Sequence, residues 1–399
     1  MLTISRNILR RFRTLCRRGG LHKSHLAGGP VVTFVGGVDG CRIRVASADV
    51  AIEFHDPVPV AEQTMRLPMS ALALCEGRDE SVVTFTMRPD EVVELAWFDH
   101  GVPRSSEQIQ PQPKEESFPA WPETTVSNDA ELWSGLADAV ESTDAEATRY
   151  ALGCVHLRGA LGNVEATDGH QALVQSGFRF GFDEDLLIPA TKLLGCADLV
   201  SLMGFRVGRT EKHVGIESGS WRLTLRIQDG RFPKLDQILP SGVAVKSTLE
   251  LSNDDARFLR EAIPRLPSHD DLHKPITFDL NGKVLIRCRE VEKARPTELQ
   301  LDASKLVGEP IVFNTNRMYV ERALRLGFRC FGLFSPASPV LCDDGRRRLV
   351  WMLLDKSSAI PRHADPIRIS SPTSPARDAR PCSSVDRHIA KRRRRREPV

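Results

Sequence analysis

The sequence has no long hydrophobic run and no paired cysteine motif. None of its apolar stretches reaches the roughly 20 residues that a membrane-spanning helix needs. Its nine cysteines are scattered, odd in number and without a C-x-x-C pair, so neither a disulfide framework nor a zinc site is indicated. We therefore expect a cytoplasmic protein in a reducing compartment, with no membrane partner.

Signatures of catalysis are also missing. The sequence contains no G-x-x-x-x-G-K-[ST] phosphate loop and no recognisable nucleophile elbow around a serine. Asp168 and His170 are of the types that bind metals, but no second cluster at a suitable spacing joins them. Asp168-Gly169 also suits a tight turn, because glycine takes positive φ freely. The sequence therefore predicts no catalytic residue, no metal and no cofactor.

Charge is distributed unevenly along the 399 residues. From Pro361 to Val399 there are eleven Lys or Arg residues against four Asp or Glu, although the whole chain carries only +3. This segment is rich in Ser and Pro and ends in the basic run Lys391 to Arg396, so it lacks the apolar residues of a core. It is predicted to be a disordered tail that adds sequence-independent affinity for DNA.

The body of the chain repeats one pattern of helices and strands three times. The first helices centre 123 and 124 residues apart, and the second helices follow at similar spacing; the centres are Phe12, Gly135 and Leu259, then Leu72, Leu193 and Val320. Such a long period predicts three copies of one α+β domain. The predicted domains are residues 1–122, 123–245 and 246–358, followed by the tail at 359–399.

The first helix, predicted from Ser5 to Arg18, divides into an apolar and a basic side. Ile4, Ile8, Phe12 and Leu15 recur at helical spacing, and the other side carries Arg6, Arg10, Arg13 and Arg17. No acidic residue precedes Asp39. The arginines fit an anionic partner, although a solvated charged face and an Arg-rich transit peptide are alternatives.

Two short segments carry a family resemblance. Thr167-Asp168-Gly169-His170, within Arg149 to Leu173, resembles a segment in the middle domain of the bacterial DNA polymerase III β sliding clamp. Gly230-Arg231-Phe232-Pro233, followed by Ile238-Leu239-Pro240, resembles the end of the same domain. The resemblance implies an α+β fold of three clamp domains, each with two helices packed on antiparallel sheets.

The resemblance also implies binding rather than chemistry. Such clamps form a head-to-tail homodimer ring around double-stranded DNA and tether polymerase and clamp-loader subunits. The cations expected to face DNA are Arg6, Arg10, Arg13, Arg17, Lys192, Arg257, Arg260, Arg317 and Arg325. The middle-domain helix from Asn128 to Ser142 departs from this pattern, since it carries acidic residues and no Lys or Arg.

A second implied site takes short apolar peptides from partner proteins. The matching positions are Thr167, Gly169, His170, Gln171, Ala172, Pro240, Val340, Met352, Leu353 and Leu354. Gln171-Ala172 stands where the family usually has Arg-Leu, and Met352-Leu353-Leu354 stands where it has Met-Pro-Met. The alternative is that these residues are only core residues.

Ring closure implies a further apolar contact between two copies. We expect Leu95 and Trp97 on a first-domain strand to meet Ile263 and Leu266 of the third domain, the alternative being that all four are core residues. Two other functions remain open: a clamp-fold interaction scaffold that does not encircle DNA, and a DNA-binding protein that acts through its basic tail.

Overall fold

The computed structural model describes residues 1–22, 30–111, 118–144, 146, 151–199, 204–240, 244–291 and 294–372. Helices are few and antiparallel sheets dominate within these ranges. None of the helices in this part of the chain has the length and apolar character needed to cross a membrane.

The five α-helices of the described residues begin mostly at capping side chains. Ser5, Asp129, Ser252 and Asn316 each accept a hydrogen bond from a backbone N–H of the first helical turn. The helices are α1 (Arg6–Arg18), α2 (Met69–Cys75), α3 (Ala130–Val140), α4 (Asn253–Ala262) and α5 (Arg317–Arg325). The starts of α1, α3 and α4 are almost equally spaced, as the repeat predicts.

The strands of the described residues are short and most pair with a sequence neighbour. In chain order they are β1 (Leu2–Ser5), β2 (Val31–Gly37), β3 (Gly40–Ala46), β4 (Val50–Asp56), β5 (Gln63–Pro68), β6 (Val82–Met87), β7 (Val92–Asp99), β8 (Val102–Ile109), β9 (Val126–Asn128), β10 (Cys154–Arg158), β11 (Asn163–Thr167), β12 (Gln171–Gln175), β13 (Asp185–Pro189), β14 (Phe205–Arg209), β15 (His213–Ser218), β16 (Trp221–Arg226), β17 (Ser247–Glu250), β18 (Pro275–Asp279), β19 (Val284–Cys288), β20 (Thr297–Leu301), β21 (Lys305–Gly308), β22 (Val312–Asn316), β23 (Cys330–Leu333), β24 (Val340–Asp343), β25 (Arg347–Trp351) and β26 (Ile367–Ser370).

Two compact units account for the packing. Unit 1 comprises residues 1–164 with 177–231, and unit 2 comprises residues 165–176 with the chain from 232 onward. This division differs from the three repeats, whose predicted boundaries at 122/123 and 245/246 stay a prediction.

Unit 1 contains a four-stranded sheet in the order β1-β6-β7-β8 and an eight-stranded sheet in the order β5-β2-β3-β4-β16-β15-β14-β9. Helix α1 buries Leu9, Phe12, Leu15 and Cys16, whereas Ile8 is only half-buried. Of the predicted stripe, Ile4, Phe12 and Leu15 are buried, and the structure departs from it at Ile8, whose place in the core Leu9 takes.

Unit 2 contains a sheet segment in the order β12-β25-β24-β23-β17-β21 and a five-stranded sheet in the order β22-β18-β19-β20-β26. Phe278 and Phe313 stack at 4.8 Å between ring centroids in one apolar core. Trp351 is 1% exposed in the same core and donates from Nε1 to the Thr315 hydroxyl at 3.0 Å. This buried polar contact fixes the end of β25.

The second helix predicted for the middle domain, centred at Leu193, is absent from the described residues 189–199. Residues 192–195 form a turn, and only the 3-10 turn Ala197–Leu199 follows. Gly195 has a φ of +83°, and a Cβ there would lie 2.1 Å from Cβ of Ala137 in α3. The turn thus lies close to α3 at Gly195 and to the end of α1, where a Cβ on Gly19 would meet the Leu193 side chain, and Leu193 and Leu194 are buried without a helix.

The prediction of a disordered tail is wrong for the first residues of that segment. Residues 359–372 are ordered: Ile360 is 1% exposed, and β26 pairs in parallel with β20. Arg362 and Arg368 from this segment form ion pairs with Asp279 and Glu298. The composition of the segment indicated disorder, because composition does not reveal which distant carboxylates its arginines meet in the fold. The basic run Lys391 to Arg396 lies outside the described residues.

Candidate functional site

The helices present two kinds of arginine, and only one kind is available to an external anion. Arg6 opens α1 but is 6% exposed. Its guanidinium donates to the carbonyl oxygens of Cys75, Glu76 and Phe98 at 3.0, 3.2 and 3.0 Å. It also pairs with two carboxylates, Asp79 at 3.2 Å and Asp99 at 3.0 Å. The prediction that Arg6 contacts DNA is therefore wrong, because all of its donor groups are directed inward.

Arg317 is a second correction of the same kind. It is 9% exposed and donates from Nη1 to the carbonyl oxygens of Leu266 and Pro267. The guanidinium thus fixes the segment that follows α4 to the start of α5. It does not present a charge to solvent.

The other predicted cations differ in how far they are free of protein partners. Arg10 donates to the Asn7 side chain at 3.2 Å, and Arg13 forms an ion pair with Glu76. Arg17 is exposed in the last turn of α1. On the remaining elements, the exposed cations are Lys192, Arg257, Arg260 and Arg325.

Two of these exposed cations have acidic neighbours on their own helix. Arg257 lies 3.4 Å from Asp254, and Arg325 lies 4.0 Å from Glu321. Exposed pairs of this kind contribute about 1 kcal/mol or less, so they exchange readily for a phosphate contact. Helices α2 and α3 differ from the other three helices because they carry no Lys or Arg.

The Thr167–Gln171 segment forms a hydrogen-bonded turn between β11 and β12. The Thr167 hydroxyl donates to the Gln171 carbonyl oxygen at 2.5 Å and accepts from the Gly169 N–H at 3.0 Å. The Asp168 carboxylate accepts from the N–H groups of His170 and Gln171, both at 2.8 Å. Gly169 has a φ of +90°, as the turn requires. The turn confirms the structural interpretation of Asp168-Gly169 and leaves His170 exposed.

This turn lies beside the end of β25. Met352 donates its N–H to the His170 carbonyl oxygen at 2.9 Å, and Ala172 pairs with Val350 across β12 and β25. Ala172 and Val350 belong to a small apolar cluster with Leu235 and Leu239. The segment that ends in Pro240 therefore packs on the same strand pair as the turn, which brings together three of the predicted pocket segments.

The predicted pocket residues divide into surface and core. Met352 is 45% exposed, whereas Val340 is fully buried in the main apolar core with Trp351. Leu353 is half-buried against that same core. Val340 is thus a core residue and offers no surface to a peptide. Ile238, next to Leu239, is 45% exposed. It was not among the predicted pocket residues, although it stands in the segment that carried the resemblance.

A cleft of about 460 Å³ adjoins the remaining predicted residue, Leu354. Its apolar lining includes Ile311, Phe313, Phe334 and Pro336, and Lys246, Glu309 and Lys356 add charge. The Leu354 N–H donates to the Asn314 carbonyl oxygen at 2.9 Å, so the chain after β25 forms one wall. Apart from Leu354, none of these lining residues could be predicted from the sequence, because they come from four distant segments.

The turn also influences the nearby helix α5. Burial raises the pKa of the Tyr319 hydroxyl above its ordinary value, and the negative charge of Asp168 adds to this effect. Tyr319 therefore stays neutral at physiological pH and packs against the apolar core of unit 2.

The four residues predicted to join two copies are all buried within a single chain. Leu95 and Ile263 are 0% exposed, Leu266 is 8% and Trp97 is 9% exposed. Ile263 and Leu266 belong to the main core of unit 2. The specific interface prediction is wrong for Leu95 and Ile263, because residues without accessible surface cannot meet a second copy; Trp97 and Leu266 are also packed mainly inside the chain.

Comparison with solved structures gives a consistent result over most of the chain. A sliding clamp of Bacillus subtilis superposes with a TM-score of 0.74 at 13% identity, covering 89% of this chain and 98% of the other. A Pseudomonas aeruginosa DnaN sliding clamp bound to griselimycin gives 0.73 at 18% identity, with 89% and 99% covered. A putative DNA polymerase III β subunit of Eubacterium rectale gives 0.72 at 14% identity, with the same coverage.

Sequence comparison alone does not detect this similarity. No model of a protein family matches the chain, and no curated protein matches it either. Between 98% and 99% of each clamp is nevertheless covered at TM-scores above 0.7, in agreement with the resemblance carried by the Thr167–His170 turn. The chain therefore has the fold of the bacterial DNA polymerase III β sliding clamp, as a divergent example of it.

Proposed function

We propose that this chain is a DNA sliding clamp, a non-catalytic subunit that encircles duplex DNA and tethers a replicative polymerase. The observation that carries the proposal is the clamp fold itself, which extends over 89% of the chain and nearly all of each matching clamp. A fold that supplies half of a ring needs a second copy to close it, so the proposed assembly is a head-to-tail homodimer. Its proposed place of action is the cytoplasm.

The proposed DNA contact is electrostatic and independent of sequence. Exposed cations on α1, α4 and α5 support it, since Arg17, Arg257 and Arg260 have side chains that reach solvent. A protein that slides gains affinity from phosphates and none from base edges, because base contacts would hold it at one position. Lys192 and Arg325 would add to the same attraction.

The proposed partner site is the surface formed by the Thr167–Gln171 turn, Met352, Ile238 and the adjoining cleft. The exposed apolar side chains and the charged cleft rim suit a short peptide with apolar anchors, as polymerase and clamp-loader subunits would present. Burying two or three apolar side chains corresponds to an affinity in the micromolar range, since a short peptide also loses conformational freedom on binding.

Salt-dependent binding to a random duplex tests the DNA contact. The variant Arg17→Ala/Arg257→Ala/Arg260→Ala should bind more weakly and lower the log–log salt slope by up to about 2.7, at about 0.9 for each lost phosphate contact. All three side chains are exposed, so the fold should be unaffected.

A matched control removes the same charge from strands. Arg206, Arg226 and Lys305 are exposed on β14, β16 and β21, and their triple alanine variant should leave the salt slope close to the wild-type value. Equal losses in both variants would indicate general attraction to a basic protein and contradict a DNA-facing helix surface.

The second candidate is a clamp-fold interaction scaffold that does not encircle DNA. The inward direction of Arg6 and Arg317 and the acidic surface of α3 favour it, since they reduce the charge that the helices offer to phosphates. The scaffold predicts peptide binding without any salt-dependent duplex binding, so the two assays together separate the functions.

A further inference from the structure

The C-terminal segment 359–372 adds a strand to the five-stranded sheet of unit 2. β26 lies parallel to β20, with Thr297 opposite Ile367 and Gln300 opposite Ser370. The Ile367 N–H donates to the Pro296 carbonyl oxygen and the Ser371 N–H donates to the Gln300 carbonyl oxygen, both at 2.9 Å. The added strand therefore occupies backbone groups of β20 that would otherwise form an open sheet edge.

Ion pairs hold this segment in place. Arg362 reaches Asp279 with two bonds of 2.7 and 3.0 Å, and Arg368 reaches one carboxylate oxygen of Glu298 at 3.0 and 2.9 Å. Both carboxylates are nearly inaccessible, with side chains 1% and 7% exposed. Arg287 joins them by pairing with Asp279 and donating to the Ile360 carbonyl oxygen at 3.0 Å. The contacts are specific, yet the two arginines of the segment are themselves more than half exposed.

The outer edge of β26 is a poor template for another strand. All four of its residues are exposed, and Pro366 and Pro372 flank it on either side. Short edge strands bounded by proline are a common way in which proteins prevent further strand pairing. The segment thus covers the edge of β20 and presents in its place an edge strand that is poorly suited to pairing.

The opposite edge of the same sheet is covered by other residues. At β22, the Asn314 carbonyl oxygen accepts from the Leu354 N–H at 2.9 Å, and the Asn314 side chain donates to the Asp355 carbonyl oxygen at 3.5 Å. Within the described residues, β20 is therefore the edge that becomes open if β26 leaves.

Unit 1 presents a strand that fits such an edge. β8 is the terminal strand of its four-stranded sheet, has eight residues and is exposed over most of them. Val102 is 49% exposed and Ile109 is 84% exposed at its two ends. Arg104, in the middle of β8, is exposed and carries the same charge that Arg368 brings to the buried carboxylate of Glu298.

We propose that β26 is a removable cap on the β20 edge, and that a second copy of this chain docks its β8 on that edge when the cap leaves. This inference rests on the proposed ring, because it assigns the docked strand to a second copy. Self-association is then controlled by the C-terminal segment: the capped chain stays open, and displacement of the segment permits closure.

Two truncations isolate the cap. A chain ending at Pro372 removes only residues 373–399 and keeps β26. A chain ending at Arg362 removes β26 as well, while retaining the buried Ile360 and the Arg362–Asp279 pair. Sedimentation analysis should show self-association at least tenfold tighter for the chain ending at Arg362 than for the chain ending at Pro372.

Two further variants distinguish loss of the cap from unfolding of the truncated chain, and they identify the partner strand. Arg368→Ala in the full chain removes one anchor without truncation and should tighten self-association by a smaller factor. Val102→Lys with Ile109→Lys, introduced into the chain ending at Arg362, should abolish the gain, because lysines at an edge strand oppose strand pairing. Hydrogen exchange of β18 and β19 checks that each variant is folded.

Each outcome has a definite meaning. Unchanged self-association in the chain ending at Arg362 overturns the cap, and weaker self-association overturns it in favour of β26 as the interface strand. If the cap fails while the chain still stays on circular DNA, the sliding clamp stands without this control. If removal of the cap gives dimers that leave circular and linear DNA equally fast, the cap stands and the sliding clamp falls.

Discussion

Replacing Arg6 and Arg17 by alanine, one at a time, separates an arginine that holds the fold from one that faces outward. Both residues lie on α1. Arg6 is buried and connects this helix to the end of α2, to the segment after α2 and to the end of β7 through five acceptors. Arg17 is exposed in the last helical turn. The sequence pattern placed them on one face, so the pair provides its own control.

The cost of Arg6→Ala follows from what the side chain leaves behind. Three backbone carbonyl oxygens lose a charged donor, and removal of one member of a buried ionic contact costs about 3–5 kcal/mol. Asp79 and Asp99 are 55% and 40% exposed, so water solvates them again and the loss falls near the lower limit. We expect a decrease of about 3 kcal/mol in the free energy of unfolding of unit 1. Arg17→Ala should change it by about 0.5 kcal/mol or less.

Hydrogen exchange in α1 and α2 measures this difference locally, which suits a chain with more than one packing unit. Amide protection in both helices should fall in Arg6→Ala and stay unchanged in Arg17→Ala, whereas duplex affinity should fall in Arg17→Ala. Arg6→Lys keeps the charge but not the planar fork and should recover only part of the protection. Full protection in Arg6→Ala, together with weaker DNA binding, would refute the assignment of Arg6 to the fold.

Three further predictions concern the other corrected or proposed sites. Met352→Glu should abolish binding of an apolar peptide in a fluorescence anisotropy assay while thermal unfolding stays within a few degrees of wild type, because this side chain is half exposed; unchanged affinity would move the peptide site elsewhere. Ile263→Ala with Leu266→Ala should lower stability by at least about 4 kcal/mol in urea denaturation, since both side chains are buried and each large-to-small change costs about 2–5 kcal/mol; a stable, folded monomer would restore the interface prediction. Burial alone would raise the pKa of Asp279, but hydrogen bonds from Arg362 and neighbouring positive charge hold that pKa below its ordinary value. The stabilisation of the fold by the ionised Asp279 carboxylate is therefore present at neutral pH and is lost as pH falls below about 4 through the lowered pKa. Exchange protection of β20 should accordingly decrease as pH falls below about 4 in wild type and change less in Arg362→Ala.

The sequence predicted those features that depend on local chemistry. The tight turn at Asp168-Gly169 and the equal spacing of the first helices follow from the types of side chains within a few residues. The resemblance to the clamp fold, carried by that turn, was also correct, and the solved structures extend it over nearly the whole chain.

Features that depend on distant partners could not be predicted in the same way. The acceptors of Arg6 stand at least 69 residues away in the chain, so helical spacing cannot distinguish Arg6 from Arg17. Leu95 and Ile263 form apolar patterns that suit a core and an interface equally well, and only their complete burial decides between them. The order of residues 359–372 likewise arises from carboxylates about 70 to 83 residues earlier.

Retention on circular DNA tests the sliding-clamp function most directly. Protein loaded onto a nicked circular duplex by a competent clamp loader is challenged with high salt, and its dissociation rate is measured before and after the circle is cut once. A closed ring is held by topology rather than by contact energy, so the account predicts slow loss from the circle and rapid loss after linearisation. Equal dissociation rates from the circular and the linear form would contradict a ring that encircles DNA.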